Sequence, residues 1–570
     1  MFKSALCRRL GARALTAAAM LSVAGPLAAA GPAADTLYVN GTVIPMTGAG
    51  DVAQAVAVKD GRILRVGSSA DLLRLRGKAT RVVDLGGKTM LPGFIDAHGH
   101  ISMLAQFVDF AQLMPPPVGT VGDMSGLLAA LRKQAADKPD GWIVGVGYDD
   151  AELAEKRHPT RQELDTVSAD RPIMLLHVSG HLATLNTKAL ELVGMLHPDA
   201  DPQGGVIRRE ADGKTASGVI EEKAIFLAAA KLPQPTIDTQ LARLDKAQHI
   251  YAANGLTTAQ DGASTPDMLP MWREAEKRGS LFIDVDVVPA FWMPWPERDT
   301  LPFNAPYDRH LRFAGVKLIL DGSPQGRTAW LTKPVPVPPA GRDAHYHGYP
   351  QITDEVLRAK LKEAADKGWQ VFAHVNGDAA IQQLIDAVAA VDAGRTSPMA
   401  RTIAIHAQTA RTDQLAVMRR LDIQPSFFAS HTYYWGDWHR EVALGPERAD
   451  RISPQREAID VGLRPSIHND APVVPPDMIR LIWSAVTRRT RSGDILGPGE
   501  RVTPYEALME VTSNAAWQLH EEAEKGVIAP GKLADLVILD SNPLAVPREA
   551  LDRVRVVATI KEGRTIFGTP

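Results

Sequence analysis

The sequence predicts an α/β protein: a (β/α)8 TIM-type barrel with a large insertion after its first strand, and a small composite β-sandwich domain drawn from both chain ends. Three observations carry that prediction. Strand-like and helix-like stretches alternate through the middle of the chain, the mark of a parallel sheet covered by helices. Short β-rich runs punctuated by glycine occupy 36–90 and 526–570, and neither set is long enough to be stable alone. Histidine, lysine and aspartate recur where successive strands end, the side on which barrels place their chemistry.

Size and charge bound the problem. A chain of 570 residues, 45% of them hydrophobic, can bury a large core and divide into more than one domain. A net charge of −3 offers no footprint for nucleic acid or an anionic membrane surface. Residues 1–30 read as a secretory signal peptide, because Lys3, Arg8, Arg9 and Arg13 precede a small-apolar run closing on Ala28-Ala29-Ala30. The run is short for a membrane span and Gly25 and Pro26 interrupt it. Cleavage is expected after Ala30, with Ala34 as second choice, and Arg8-Arg9 admits a twin-arginine route. Cys7, the one cysteine, lies in this leader, so the processed chain has no disulfide framework, thiolate zinc site or cysteine nucleophile. A periplasmic or secreted protein without a stable membrane span is expected.

From Thr36 to Met90 the β-rich runs are joined by turns at Asp60-Gly61 and Gly86-Gly87, both read as hairpins. Runs at 536–539, 554–557 and 565–567 repeat the texture, so the two ends are expected to pair. The barrel takes 91–525. Its candidate strands are 93–98, 256–261, 282–288, 313–320, 370–374, 402–406, 423–428 and 463–468, with helices such as 354–367 and 413–421 between them. Residues 101–253 break the rhythm and are read as an insertion over the barrel mouth, with one β-like segment at 142–147 and helices near 124–136 and 240–253.

Within Leu91-Pro92-Gly93-Phe94-Ile95-Asp96-Ala97-His98-Gly99-His100 a strand ends in two histidines two residues apart, which therefore face the same side. Imidazole is the commonest protein metal ligand, so the pair is half a metal site. The corresponding ends of later strands bring Lys317, His374, His406 and Asp470. Any one of these could be an ordinary buried or surface residue; all at one end of consecutive strands point to a metal.

These pieces resemble the amidohydrolase superfamily, in the amidohydrolase-3 branch that includes N-substituted formamide deformylases. The resemblance rests on the Pro92 to His100 stretch, Gly180-His181-Leu182-Ala183-Thr184-Leu185-Asn186, Val316-Lys317 with Asp321-Gly322, and Ala373-His374 with Gly377-Asp378. His406-Ala407-Gln408, Asn469-Asp470-Ala471-Pro472 and Gly531-Lys532-Leu533-Ala534-Asp535-Leu536-Val537 complete it, in the family's order over nearly the whole processed chain.

The resemblance implies a divalent metal, zinc above others given histidine-rich ligation, held as one or two ions by His98, His100, His374 and His406. Lys317 would bridge two ions if N6-carboxylated, since a carbamate is an anionic oxygen ligand and an ammonium is not; the alternative is a buried lysine paired with Asp321 or Asp470. The metal would bring bound water toward neutrality, and Asp470 would take the proton and return it to the leaving nitrogen. Two departures stand out: Ile405 where the family often carries Glu, and His468-Asn469 before Asp470 where Gly-Ser or Ser-Ser is common. His468 could support a ligand or touch substrate. His181 and Asn186 are candidate contacts to the substrate carbonyl or a structural helix entry, and Asp149, Asp150 and Glu221 are pocket carboxylates or solvated loop charges.

Aromatic residues in the loops expected to ring the mouth, Trp330 and Tyr433 among them, suggest a small substrate with an apolar or aromatic substituent; packing between loops is the alternative. The expected activity is hydrolysis of a carbon–nitrogen bond other than a peptide bond, as in an N-substituted amide or formamide. An ester or lactone hydrolase could use the same site, and a periplasmic metal- or ligand-binding protein could keep the metal without turnover. Homodimerisation is expected by analogy alone.

Overall fold

The computed structural model describes residues 32–570 except 151, 179–181, 204, 340–341, 398 and 400. The leader at 1–30 and His181 lie outside the described residues.

Parallel strands form two arcs. In the first, Phe94–Ile95, Leu256–Ser264, Asp284–Pro289 and Leu311–Phe313 pair in that order. In the second, Val316–Ile319, Val371–Val375, Thr402–His406, Ile423–Phe427 and Ser466–Ile467 follow one another. Ala290 bridges Lys317 between the arcs, and on the other side Asp470 donates its N–H to the His98 carbonyl at 3.3 Å while His100 donates to the Ala471 carbonyl at 2.7 Å. This is the strand order of an eight-stranded α/β barrel. The fourth strand, expected as one run over 313–320, is two, because Gly315 lies so close to the Gln370 carbonyl that a β-carbon there would stand 2.4 Å from it. There the chain leaves its pairing with the third strand and takes up pairing with Val371–Val375.

Helices follow the apolar spacing. Asp354–Lys367 begins at the Thr353 cap, whose hydroxyl accepts from the Val356 N–H, and stops at Gly368 in the left-handed region; Leu357, Leu361 and Ala364 are its buried face. The helix expected at 413–421 is Thr412–Arg420.

At the chain ends two sheets face one another across a shared core that includes Tyr38, Val56, Ile63, Leu536, Ile538 and Ile560. One sheet is wholly N-terminal. In the other, Leu536–Leu539 lies antiparallel between Thr89–Pro92 and Val556–Lys561. Asp60-Gly61 makes the expected hairpin between Ala55–Lys59 and Arg62–Gly67, both turn residues having positive φ. Gly86-Gly87 does not. It carries the chain from one sheet to the other, because the Thr89 strand pairs with Leu539 rather than folding back on Arg76–Asp84.

The insertion carries more sheet than its sequence suggested. Six strands pair in the order Gly205–Arg209, Ala216–Glu222, Leu182–Leu185, Ile173–His177, Ile143–Tyr148 and Ala111–Gln112, the last three parallel. Among the described residues no helix is long and apolar enough to cross a membrane.

A buried ionic network ties the terminal β-strands to the N-terminal ends of the barrel strands. Asp284 begins the third strand and contacts the Lys525 ammonium; the Lys561 ammonium lies 2.8 Å from it and His310 Nδ1 2.7 Å. Lys561 reaches Asp535 at 2.8 Å as well. All but His310 are 5% exposed or less, so removing a carboxylate would leave buried positive charge uncompensated. Burial opposes ionisation of Asp284, but Lys525 and Lys561 overcome it and hold its carboxyl well below the usual range. Asp284→Asn should therefore destabilise the fold by about 3–5 kcal/mol, read as a lowered urea midpoint. Asp137→Asn, which breaks an exposed pair with Lys133, should cost about 0–1 kcal/mol.

Candidate metal centre

Four imidazoles, one ammonium and one carboxylate converge at the C-terminal ends of the barrel strands. His98 and His100 follow the first strand, Lys317 lies on the fourth, and His374 and His406 lie near or at the ends of the fifth and sixth. Asp470 follows the eighth. His406 and Asp470 hold positive φ, +70° and +55°, which costs a non-glycine residue of order 1 kcal/mol and is kept because their side chains are otherwise fixed.

Each imidazole has one nitrogen occupied by the fold. His98 Nδ1 lies 2.7 Å from Gln260 Oε1, and Gln260 is itself oriented by donating to the Ala97 carbonyl at 3.2 Å. His100 Nδ1 donates to the Gly262 carbonyl. His374 Nε2 lies 3.2 Å from the Gly322 carbonyl. His406 Nδ1 lies 3.0 Å from His468 Nε2, and the chain runs on from His468 Nδ1 to Ser426 Oγ at 2.9 Å. Ser466 Oγ is 2.9 Å from that hydroxyl and donates to Gln518 Oε1 at 2.7 Å. An N–H given to an outer acceptor fixes the tautomer and turns the other nitrogen's lone pair inward.

The inward atoms are close. His98 Nε2 and His100 Nε2 stand 3.5 and 3.0 Å from Asp470 Oδ1, and His406 Nε2 stands 3.9 Å from Oδ2, so the carboxylate lies between two pairs of histidines. His374 Nδ1 faces His406 Nε2 at 3.0 Å. That last contact needs either a proton carried by one of the two rings or a cation between them. Asp470 Oδ1 is buried, with His100 Nε2 the nearest of the imidazole nitrogens. Neutral imidazole nitrogens and a carboxylate are the donor set of a zinc-class divalent cation. The residues fit a metal.

Burial sets the protonation states. It pushes His374 down to about 4 and His468 to about 3, and holds His98 and His406 well below the ordinary histidine value. For His100 burial acts in the same direction, but the hydrogen bond and charge of Asp470 outweigh it and the net shift is upward. Asp470 is held well below the carboxylate range: burial works against it, and His100, His406 and His98 prevail. Burial also brings Lys317 down to about 7, so a neutral amine is accessible near neutrality. Its Nζ lies 2.8 Å from His98 Nε2.

Asp321, weighed as a partner for Lys317, instead accepts three backbone N–H groups, from Asn376 at 2.9 Å, Gly377 at 2.7 Å and Trp330 at 2.9 Å. It knits the loops after the fourth and fifth strands together. Asn186 is corrected too. It is fully buried, its Oδ1 accepts from the Ile173 and Ala189 N–H groups and its Nδ2 donates to the Ser168 and Arg171 carbonyls, so it caps the helix Thr187–Leu192 and has no capacity left for substrate. Trp330 and Tyr433 are half-buried on the barrel core, Tyr433 edge-on to Trp483 with centroids 5.3 Å apart. Among the described residues no hydrogen bond or ring contact joins either side chain to the histidines. Glu221 pairs with Arg208 at 2.7 Å on the insertion's sheet.

Residues 81–567 match the family described as "Amidohydrolase family". The N-substituted formamide deformylase of Arthrobacter pascens is 29% identical over 545 residues, 93% of this chain and 97% of that protein. Two crystal structures of uncharacterized metal-dependent hydrolases share the fold. The one from Pyrococcus horikoshii OT3 is 23% identical with a TM-score of 0.72, over 90% of this chain and 99% of that one. The one from Pyrococcus furiosus is 25% identical with a TM-score of 0.71, over 89% and 99%.

His468 gives a direct test of the outer shell. His468→Ala removes the partner of His406 Nδ1 and should weaken zinc binding about 10–100-fold with the circular dichroism unchanged, while His468→Gln should restore part of the loss.

Proposed function

The chain belongs to the amidohydrolase family, and on that premise we propose that this metal-dependent hydrolase cleaves a carbon–nitrogen bond other than a peptide bond, in a small N-substituted amide or formamide. The observation that carries the reading is the convergence of the His98, His100, His374 and His406 ring nitrogens around an ionised Asp470. Zinc is the ion these donors suit best, and when bound it would polarise the carbonyl and activate water.

The chain's own residues divide the remaining work. The four histidines hold the ion. Asp470, kept ionised and within reach of both histidine pairs, accepts the proton of the attacking water and returns it to the departing nitrogen, so that amide plus water gives carboxylic acid plus amine. The neutral Lys317 amine can add to carbon dioxide with loss of a proton, and the resulting carbamate would supply an anionic oxygen between two ions.

Phe428, 2% exposed, packs its ring 6.2 Å from His406 and 5.4 Å from His468 and forms an apolar wall behind the histidines. The aromatic residues of the loops after the strands support an apolar or aromatic substituent on the substrate, as the sequence suggests. In this reading residues 36–90 and 526–570 form one β-domain, 91–525 the (β/α)8 barrel, and 101–253 its cover. The arginine-led leader supports export to the periplasm or beyond.

The test is a paired assay. An aryl- or alkyl-substituted formamide should be turned over faster than the corresponding formate ester, and Asp470→Asn should lower that turnover about 10²–10⁴-fold. Preference for the ester, or an Asp470→Asn protein within about tenfold of the original, would contradict the proposal.

A further inference from the structure

A second cluster of metal-competent side chains lies in the insertion, apart from the barrel strands. The parallel strands Ile143–Tyr148 and Ile173–His177 end side by side, with Tyr148 in register with His177. Asp149 and Asp150 follow the first of these ends directly, and the chain then loops back through His158.

Two imidazoles and two carboxylates therefore meet at one edge of the sheet. His177 Nε2 is 3.0 Å from Asp150 Oδ1 and 3.8 Å from Asp149 Oδ1, and His158 Nε2 is 3.6 Å from Asp150 Oδ2. Zinc binds nitrogen and oxygen at about 2.0–2.2 Å, so tetrahedral ligands stand about 3.3–3.6 Å apart. The observed separations bracket that spacing.

Outer contacts orient the set as they do in the barrel. His158 Nδ1 lies 3.1 Å from Tyr148 Oη, which lies 2.9 Å from Thr184 Oγ1. The cluster is open enough for an ion to enter, with Asp150 33% and Asp149 25% exposed.

We propose that His177, Asp149 and Asp150, with His158 beside them, form a second divalent-cation site, of the zinc class, independent of the barrel centre. A bound ion would brace the loop from Asp149 to His158. That loop also carries Glu152, 3.5 Å from Arg491 in the segment after the eighth strand, so the site would stiffen a contact between insertion and barrel.

Chelator-stripped full-length protein is titrated with zinc against a chromophoric chelator. The unsubstituted chain should bind one ion more per chain than His177→Gln or Asp150→Asn, and a His98→Ala/His406→Ala protein should keep that ion. Equal stoichiometry and affinity in all of these proteins would overturn the proposal. Because a substitution could disturb the sheet, the unsubstituted protein is also crystallised with zinc. An anomalous peak within about 2.2 Å of His177 Nε2 and of an Asp150 carboxylate oxygen supports the site, and a vacant edge beside an occupied barrel overturns it.

Discussion

The structure turns on four imidazoles that converge on Asp470 beside the Lys317 amine. Burial keeps His98, His374 and His406 neutral, and the fold then commits one nitrogen of each imidazole to an outer partner. What remains is an inward ring of imidazole nitrogens beside an ionised carboxylate. Such a ring is costly by itself and favourable around a cation, so the energetics of the strand ends and the chemistry of the site are one problem.

The rest of the barrel serves that geometry. Gly262 must be glycine because a β-carbon there would lie 2.4 Å from His98 Cε1, while its carbonyl holds His100. Asp96, just before the paired histidines, is buried and accepts from Tyr251 Oη at 3.0 Å; burial lifts it to about 7. At the opposite end of the strands the Asp284, Lys525, Lys561 and Asp535 network fixes the terminal β-strands against the barrel. The strand ends that present the ligands are thus held from both directions.

Much of this was legible in the sequence because period-two alternation and strand-end histidines are local signals. The barrel strands, the helices at 354–367 and 412–420 and the converging residues could be read directly. What escaped depends on tertiary partners. Gln260, the Gly262 carbonyl and the Ser426, Ser466 and Gln518 chain carry no motif, and only folding brings them behind the histidines. Asn186 was ambiguous because a cap and a substrate contact use the same amide, and burial decides for the cap. The insertion's sheet was underread because several of its strands are only two to five residues long and alternate weakly. Gly86-Gly87 has the chemistry of a hairpin, and the pairing of Thr89–Pro92 with Leu536–Leu539 sends the chain elsewhere.

The measurement that bears most directly on this account is a crystal structure with anomalous data collected at the zinc edge. The account predicts a peak among His98 Nε2, His100 Nε2, His374 Nδ1, His406 Nε2 and Asp470, with each imidazole's outer nitrogen still on its present partner. Fully zinc-loaded crystals with no peak among these atoms, or with the histidines turned away to bind through their outer nitrogens, would contradict it.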